Sequence, residues 1–198
     1  MKSQLSFDYE KATQAINYFA QRFPSGKINV MKTLKLIWIA DRYHIRRYGR
    51  TITGDSYFAL ERGPIASTVK DLMTNRSIVA AQEKEYAASY IEPLGQYQVK
   101  SVGAIDINVF SDSDIEALKF AYDNFGQLDQ WDLSRLSHEY PEWKKYKTAL
   151  ESGSSARENI DILDFFKNPD SLMGDKFSEP PELLEASKEL YTEEILWA

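Results

Sequence analysis

The chain has 198 residues, of which 43% are hydrophobic and 13% aromatic, enough for one sizeable core without a fully separate second domain. Its net charge is −6, and it contains no cysteine, which excludes disulfides and thiolate metal sites. The N-terminal segment MKSQLSFDYEKA lacks the apolar run of a signal peptide, and no stretch of about 20 apolar residues occurs. We therefore expect a cytoplasmic protein without a membrane-spanning segment.

Two helices are predicted before residue 50. Asp8 is placed to cap the first, whose apolar residues recur at helical spacing until Pro24-Ser25-Gly26. The second begins at Val30 and has apolar residues on nearly every side, which predicts the central helix of the domain. Asp41 lies on its main apolar stripe, so a buried carboxylate with a structural partner is expected, with Arg, Lys or Tyr as donors. Gly49 is expected to end this helix.

The end of the second predicted helix is strongly basic. Arg42, Arg46, Arg47 and Arg50 against Asp41 give 4 − 1 = +3 over residues 41–50, in a chain whose total is −6. Cations in a last turn suit the helix dipole, so capping explains part of this cluster. Tyr and Arg are also enriched at protein interfaces, which makes the cluster a candidate partner-binding patch.

A turn, a strand and a helix are predicted next. Thr53-Gly54-Asp55 has the composition of a turn, and Tyr57–Leu60 has that of a strand. Gly63-Pro64 is expected to open a helix with proline at its first position. The buried edge of that helix is predicted to consist of Ile65, Val69, Leu72 and Met73.

The helical period is lost between residues 76 and 110. Short strands are predicted at 77–79, 88–91 and 105–110, with a turn at Pro93-Leu94-Gly95. Ser111 and Asp114 then form a capping-box pattern for a helix that Gly126 ends, and Asp129 is expected to cap another helix. The predicted fold class is mainly α, a compact helical domain with a small β-sheet or hairpin element.

The composition changes after Leu150. Residues 151–156 have the composition of a flexible connection, Ile160–Phe166 that of a short helix, and 168–181 that of a loop. The last segment is an amphipathic acidic helix: residues 179–198 hold six glutamates and one lysine, a charge of 1 − 6 = −5. Its Leu183, Leu190 and Trp197 repeat every seven residues on another face. We therefore divide the chain into a domain at 1–150 and a helical C-terminal extension at 151–198.

Eight short segments in a fixed order carry a resemblance to a known family. They are Lys35-Leu36, Ala40-Asp41-Arg42-Tyr43-His44, Tyr48-Gly49-Arg50, Ile52-Thr53-Gly54-Asp55, Glu61-Arg62-Gly63-Pro64, Trp131-Asp132-Leu133-Ser134, His138-Glu139 and Trp143-Lys144-Lys145. Together they resemble the Panacea antitoxin-domain family, also known as the SocA-like domain. The resemblance covers roughly residues 8–150, so that 1–150 is a Panacea-like antitoxin domain.

The resemblance implies the antitoxin of a bacterial or phage toxin–antitoxin pair, a non-enzyme that neutralises a cognate protein toxin by direct contact. Some SocA-like members also act as adaptors that deliver the toxin to a protease, so a protease or chaperone is a further candidate partner. A homo-oligomer, or a hetero-oligomer with the toxin, is compatible with this role. No cofactor, metal, membrane or nucleic acid is expected as a partner.

The candidate residues fall into two groups. Those expected to bind the partner are Tyr43, Arg46, Arg47, Arg50, Glu61, Arg62, Glu185, Glu189, Glu193 and Trp197. Those expected to support the structure are Asp41, Gly49, Gly54, Gly63, Pro64, Trp131, His138 and Trp143. The glutamates are included because an acidic helix can occupy a toxin cleft built to bind nucleotide or RNA.

Two other functions fit parts of the sequence. His44 and His138, with carboxylates among Asp41, Asp55, Glu61 and Glu139, are the residue types of a metal-assisted hydrolase, although their spacing fits no ligand motif. The basic cluster at 42–50 suits a DNA-binding regulator, although an acidic chain argues against one. Two structural features distinguish these functions: whether the histidines approach each other, and whether the arginines share one exposed face.

Overall fold

One long helix runs through the centre of the protein, and the other elements surround it. The computed structural model describes residues 6–74, 76, 78–170 and 176–197. Its α-helices are α1 (Tyr9–Gln21), α2 (Val30–Tyr48), α3 (Ser67–Met73), α4 (Ala81–Ala88), α5 (Asp112–Phe125), α6 (Gln130–Ser137), α7 (Pro141–Lys144), α8 (Lys147–Glu151) and α9 (Pro181–Trp197). Its strands are β1 (Lys27–Asn29), β2 (Tyr57–Leu60), β3 (Gly63–Ala66), β4 (Ile91–Leu94), β5 (Gln98–Ser101) and β6 (Glu158–Asn159). The predicted fold class, mainly α with small β elements, is confirmed.

Helix α2 is the central helix, as predicted. The Asn29 side chain caps its start by accepting a hydrogen bond from the Lys32 amide, and Gly49 ends it in the left-handed conformation, with φ 70°. Every residue from Thr33 to Arg46 is buried. Helices α1, α5, α6 and α9 pack against it. Strand β3 also packs on it, and a helix covered by neighbouring elements on most sides fits its apolar composition.

Two small antiparallel sheets lie beside the helices. In the first, the strand order is β1-β5-β4, with Ile28 opposite Val99. In the second, β2 is central: it pairs with β3, with Phe58 opposite Ile65, and with β6, with Phe58 opposite Asn159. The β2–β3 hairpin projects residues 61–62 at its turn, beside the N-terminal half of α2.

Several boundaries differ from the sequence predictions. Gly63-Pro64 does not open a helix: these residues belong to strand β3, and α3 begins at Ser67. The predicted strand at 105–110 is wrong, because a 3-10 helix occupies Ile107–Val109. The predicted strand at 88–91 lies across the end of α4 and the start of β4, and the predicted turn at 93–95 starts too early because β4 extends to Leu94. For the strand at 77–79, Ser77 lies outside the described residues, and Ile78 and Val79 are in a turn.

The C-terminal part of the chain packs into the same core. Phe165, Phe166 and Phe177 are buried, and strand β6 completes the second sheet. Helix α9 lies against α2, where the backbone of Ser187 approaches Gly49. The packing is therefore continuous across Leu150. The division of the chain at that residue stays a prediction, based on where the family resemblance ends.

Candidate functional site

Asp41 connects α2 to the segment that leads into the hairpin. Its carboxylate accepts hydrogen bonds from the amides of Ile52 (2.7 Å) and Thr53 (3.2 Å), from Thr53 Oγ1 (2.5 Å) and from Tyr57 Oη (2.7 Å). Burial raises the pKa of Asp41 to about 6, while these four bonds act against that rise. The predicted buried and partnered carboxylate is confirmed, and Tyr57 is a donor of the expected kind.

Two arginines of the basic cluster lie inside the protein. Arg42 is fully buried, and its Nε donates to Glu142 Oε1 at 2.9 Å and its Nη2 to the carbonyl of Lys167 at 2.6 Å. Arg46 donates to the carbonyls of Phe165 (2.9 Å) and Phe177 (3.2 Å). The prediction that Arg46 contacts the partner does not fit this placement, because its guanidinium holds the C-terminal segment against α2.

The remaining members of the cluster are half-buried or paired with acids. Tyr43 is buried, stacks on Phe120 and donates to Glu116 at 2.7 Å. Arg47 lies 3.4 Å from Glu179 and 3.7 Å from Glu116, and Arg50 lies 2.9 Å from Asp114. The arginines therefore share no exposed basic face, and this arrangement does not favour DNA binding.

The two histidines lie in different environments. His44 is buried, with Nδ1 2.7 Å from the carbonyl of Arg50 and Nε2 2.9 Å from Ser113 Oγ. His138 stacks on Trp143, with ring centroids 3.7 Å apart. The two rings therefore contact different elements: His44 contacts α5 through Ser113, and His138 stacks on Trp143 of α7. Among the described residues, no group of three or more His, Asp and Glu side chains is arranged to hold a metal ion.

Contacts from three directions fix the β2–β3 hairpin. The Nζ of the buried Lys35 donates to the carbonyl of Pro64 at 2.7 Å, and the indole of the buried Trp143 donates to the carbonyl of Leu60 at 2.7 Å. Ser134 Oγ donates to the carbonyl of Arg62 at 2.9 Å. Gly63, with φ 95°, approaches Lys35 and Ser137 so closely that a Cβ there would overlap both side chains. Gly54 lies against the backbone of Ser6.

An open groove of about 720 Å³ lies beside this hairpin. The N-terminal half of α2 and strand β3 form its floor, and residues of α3, α6 and the β4–β5 turn form its sides. Apolar side chains on the floor are Val30, Met31, Leu34 and Ile65. Charged side chains that line it are Lys35, Glu61, Arg62, Lys70 and Arg76. A groove of this volume is within the range of ligand and peptide sites.

Two aromatic rings border the groove. Tyr97, in the β4–β5 turn, is 75% exposed, and Trp131, in the first turn of α6, is 46% exposed. The guanidinium of Arg62 lies 5.1 Å from the Trp131 ring centroid, within the range of a cation–π contact. Trp131 was predicted to support the structure, but this exposure places it on the surface, next to Glu61 and Arg62.

The acidic face of α9 is exposed at the other end of α2. Glu185, Glu189 and Glu193 are exposed, as expected for a solvated face. Ser187 is buried and Leu184 and Tyr191 are half-buried against the domain, whereas Leu190 of the predicted seven-residue repeat is 57% exposed. The side chain of Trp197 lies outside the described part of the chain.

The groove was not predicted from the sequence. Its lining residues come from segments as far apart as Asn29 and Ala156. Glu61 and Arg62 were named as partner-binding residues, but Met31, Lys70 and Tyr97 carry no local signal that distinguishes them from ordinary core or surface residues. Only the fold brings them together.

Comparison with known families identifies the class of protein. A family model described as antitoxin SocA-like, Panacea domain, matches residues 34–144, which is more than half of the chain. The chain belongs to this family, and an antitoxin-like role follows from membership. Comparisons with curated proteins and with solved structures give no match. Within the residues that the structure describes, no helix is both long enough and apolar enough to cross a membrane.

Proposed function

We propose that this protein is the cytoplasmic antitoxin of a toxin–antitoxin pair and neutralises a cognate protein toxin by binding it directly, without catalysis. The observation that carries the proposal is the family match, which covers most of α2, the β2–β3 hairpin and α6, elements that border the groove. Exposed aromatic and arginine side chains such as Trp131 and Arg62 are the types that contribute most to protein interfaces.

Co-expression tests this function. A reading frame adjacent to the gene is expressed alone and together with this protein. We expect it to stop growth alone and to be harmless in the presence of this protein, and the two proteins to elute together in size-exclusion chromatography. If no adjacent product is toxic, or if toxicity persists at equal expression, the proposed function is wrong.

The lifetime of the toxin separates two modes of neutralisation. Neutralisation by binding alone leaves the toxin at its normal level in a stable complex. An adaptor that delivers the toxin to a protease shortens the lifetime of the toxin, and deletion of the protease gene restores it. We propose binding as the primary event in both cases.

We further propose the acidic face of α9 as a second contact that accelerates association. Glu185, Glu189 and Glu193 are exposed on a helix that carries most of the net negative charge. If the toxin surface is basic, replacing all three with lysine should lower the association rate more than it raises the dissociation rate, and the difference should shrink at high salt. An unchanged association rate would remove α9 from the interface.

A further inference from the structure

The groove beside the hairpin combines an apolar floor with a cationic margin. Met31, Leu34 and Ile65 lie on the floor, where an apolar side chain of a partner would be removed from water. Tyr97 and Trp131 project at its margin and are more exposed than most aromatic residues of a folded domain. This combination is typical of a site that receives a segment of another protein.

The charge of the groove is opposite to that of the whole chain. Arg62, Lys70 and Arg76 against Glu61 give 3 − 1 = +2, in a chain of net charge −6. Arg76 lies 3.6 Å from Asp71, but among the described residues neither Arg62 nor Lys70 takes part in an ion pair. Lys35 also lines the groove, but it is fully buried and its Nζ donates to the carbonyl of Pro64, so the cations accessible to a partner are the other three.

At the other end of α2, two arginines have acidic partners in the same chain. There, Arg47 and Arg50 are matched by Glu116, Glu179 and Asp114 of the same chain. Arg62 instead lies over the Trp131 ring, which leaves its outer edge available to a carboxylate. Two cations for which the described part of the chain supplies no ion-pair partner, beside two exposed aromatics, are therefore placed to bind a partner.

The walls of the groove are fixed before any partner arrives. Hydrogen bonds to the carbonyls of Leu60, Arg62 and Pro64 hold the hairpin, and the Val30 amide donates to the carbonyl of Tyr97 at 2.9 Å. A preformed site loses less conformational entropy on binding than a flexible one.

From these observations we propose that the groove binds an acidic segment of the protein toxin, with an apolar side chain on the floor and carboxylates at Arg62 and Lys70. This inference rests on the proposed function and names the contact site and the chemistry of the partner. A nucleic acid fits less well, because the floor is apolar and Glu61 stands in the margin.

Charge reversal and truncation at the groove test the inference, with the toxin identified by co-expression as the probe. Arg62→Glu and Trp131→Ala should each weaken toxin binding by about tenfold or more, since both remove a residue type that dominates interfaces. Arg135→Glu is the matched control: it lies on α6, one turn beyond Trp131, is paired with Asp132 and does not line the groove. It should change the affinity by no more than about twofold. Melting temperatures of the three variants check that each one folds.

Overlapping peptides that span the toxin identify the bound segment. We expect the peptides that bind to be acidic, to contain a large apolar residue and to lose affinity as salt is raised. If wild-type protein neutralises the toxin but the groove variants bind it equally well, or if only basic peptides or a nucleic acid compete for the groove, this inference is wrong and the proposed function stands. If wild-type protein does not neutralise the toxin, both fail.

Discussion

At the scale of single residues, Asp41 shows how a buried charge organises the domain. Its carboxylate collects donors from residues 52, 53 and 57, and thereby fixes the direction in which the chain leaves α2 towards the hairpin. A charge is tolerated in such a site only when its hydrogen-bonding capacity is satisfied.

Asp41→Ala should lower the free energy of unfolding by about 3 kcal/mol or more, because several buried donors lose their acceptor at once. Urea denaturation followed by tryptophan fluorescence measures the change. Tyr57→Phe, which removes one donor of the same group, should cost only about 1 kcal/mol. A cost for Asp41→Ala as small as that for Tyr57→Phe would contradict the role given to the carboxylate.

His44 should make stability depend on pH. Its burial, and then the charge of Arg50, lower its pKa to about 4. An unfolded histidine titrates near pH 6.5, so between about pH 6.5 and 4 the unfolded chain binds a proton that the folded chain does not. Stability should therefore fall as the pH falls through this range, by a contribution on the order of 3 kcal/mol.

The contribution of His44 is measured as the difference in unfolding free energy between the wild type and His44→Gln. Asp41, whose pKa is raised to about 6, contributes in the opposite direction over an overlapping range. Subtracting the unfolding free energy of His44→Gln from that of the wild type at each pH cancels the contribution of Asp41, which both proteins share. A difference that stays constant from pH 7 to about pH 4 would show that His44 titrates normally in the folded state.

At the scale of elements, the sequence predicts a helix end correctly where the capping residue is next to that end in the chain. The ends of α1, α2, α5 and α6 follow from Asp8, Gly49, Ser111 and Asp129, which were all identified from the sequence. Helix α3 was misplaced because its cap is distant: Asp55 accepts from the amides of Thr68 (3.1 Å) and Val69 (2.8 Å). Pro64 instead pairs with Ala59 in the hairpin.

The alternating pattern at 105–110 misled the prediction for a different reason. Asp106 accepts a hydrogen bond from the amide of Asn108 at 3.1 Å, which closes a local turn. Ile107 is 60% exposed, so the alternation does not correspond to a buried face. An alternating apolar pattern indicates a strand only when one face of the segment is buried against the core.

The junction of α2 and α9 should be sensitive to a single methyl group. A Cβ at Gly49 would lie 2.7 Å from the carbonyl oxygen of Ser187, which is backbone and cannot rotate away. Gly49→Ala should cost more than about 2 kcal/mol, the sum of a left-handed conformation and this overlap.

Gly153→Ala is the matched control, because φ there is 71° and nothing lies within 4 Å of the added Cβ. It should cost only about 1 kcal/mol, the conformational part alone. Midpoints of urea denaturation compare the two variants, and equal costs would show that α9 does not press on Gly49.

At the scale of the whole molecule, the core includes residues beyond Leu150, among them Ile160, Phe165, Phe166 and Phe177. A chain that ends at Leu150 lacks the carbonyls of Phe165, Lys167 and Phe177, which leaves the buried guanidinium of Arg46 without these acceptors. We expect no cooperative unfolding transition for that chain, and binding of a hydrophobic dye.

A chain that ends at Ser178 keeps those acceptors and loses α9 together with Glu179, which lies 3.4 Å from Arg47. Because most of α9 is exposed, this chain should still unfold cooperatively, at a lower denaturant concentration, and should bind the toxin more weakly if the acidic face contributes. Cooperative unfolding of the chain that ends at Leu150 would mean that the first 150 residues fold alone.

Arg46 is synthesised well before the carbonyls that accept its hydrogen bonds, so these bonds can form only late in biosynthesis. Arg46 leaves the ribosome 131 residues before Phe177, one of the carbonyls that it needs. At ordinary rates of translation this gap lasts roughly 7 to 26 s, during which the central helix cannot complete its hydrogen bonds. A nascent chain of this protein is therefore exposed to proteases and chaperones until Phe177 is made, and folded protein should follow messenger translation with a delay of that length.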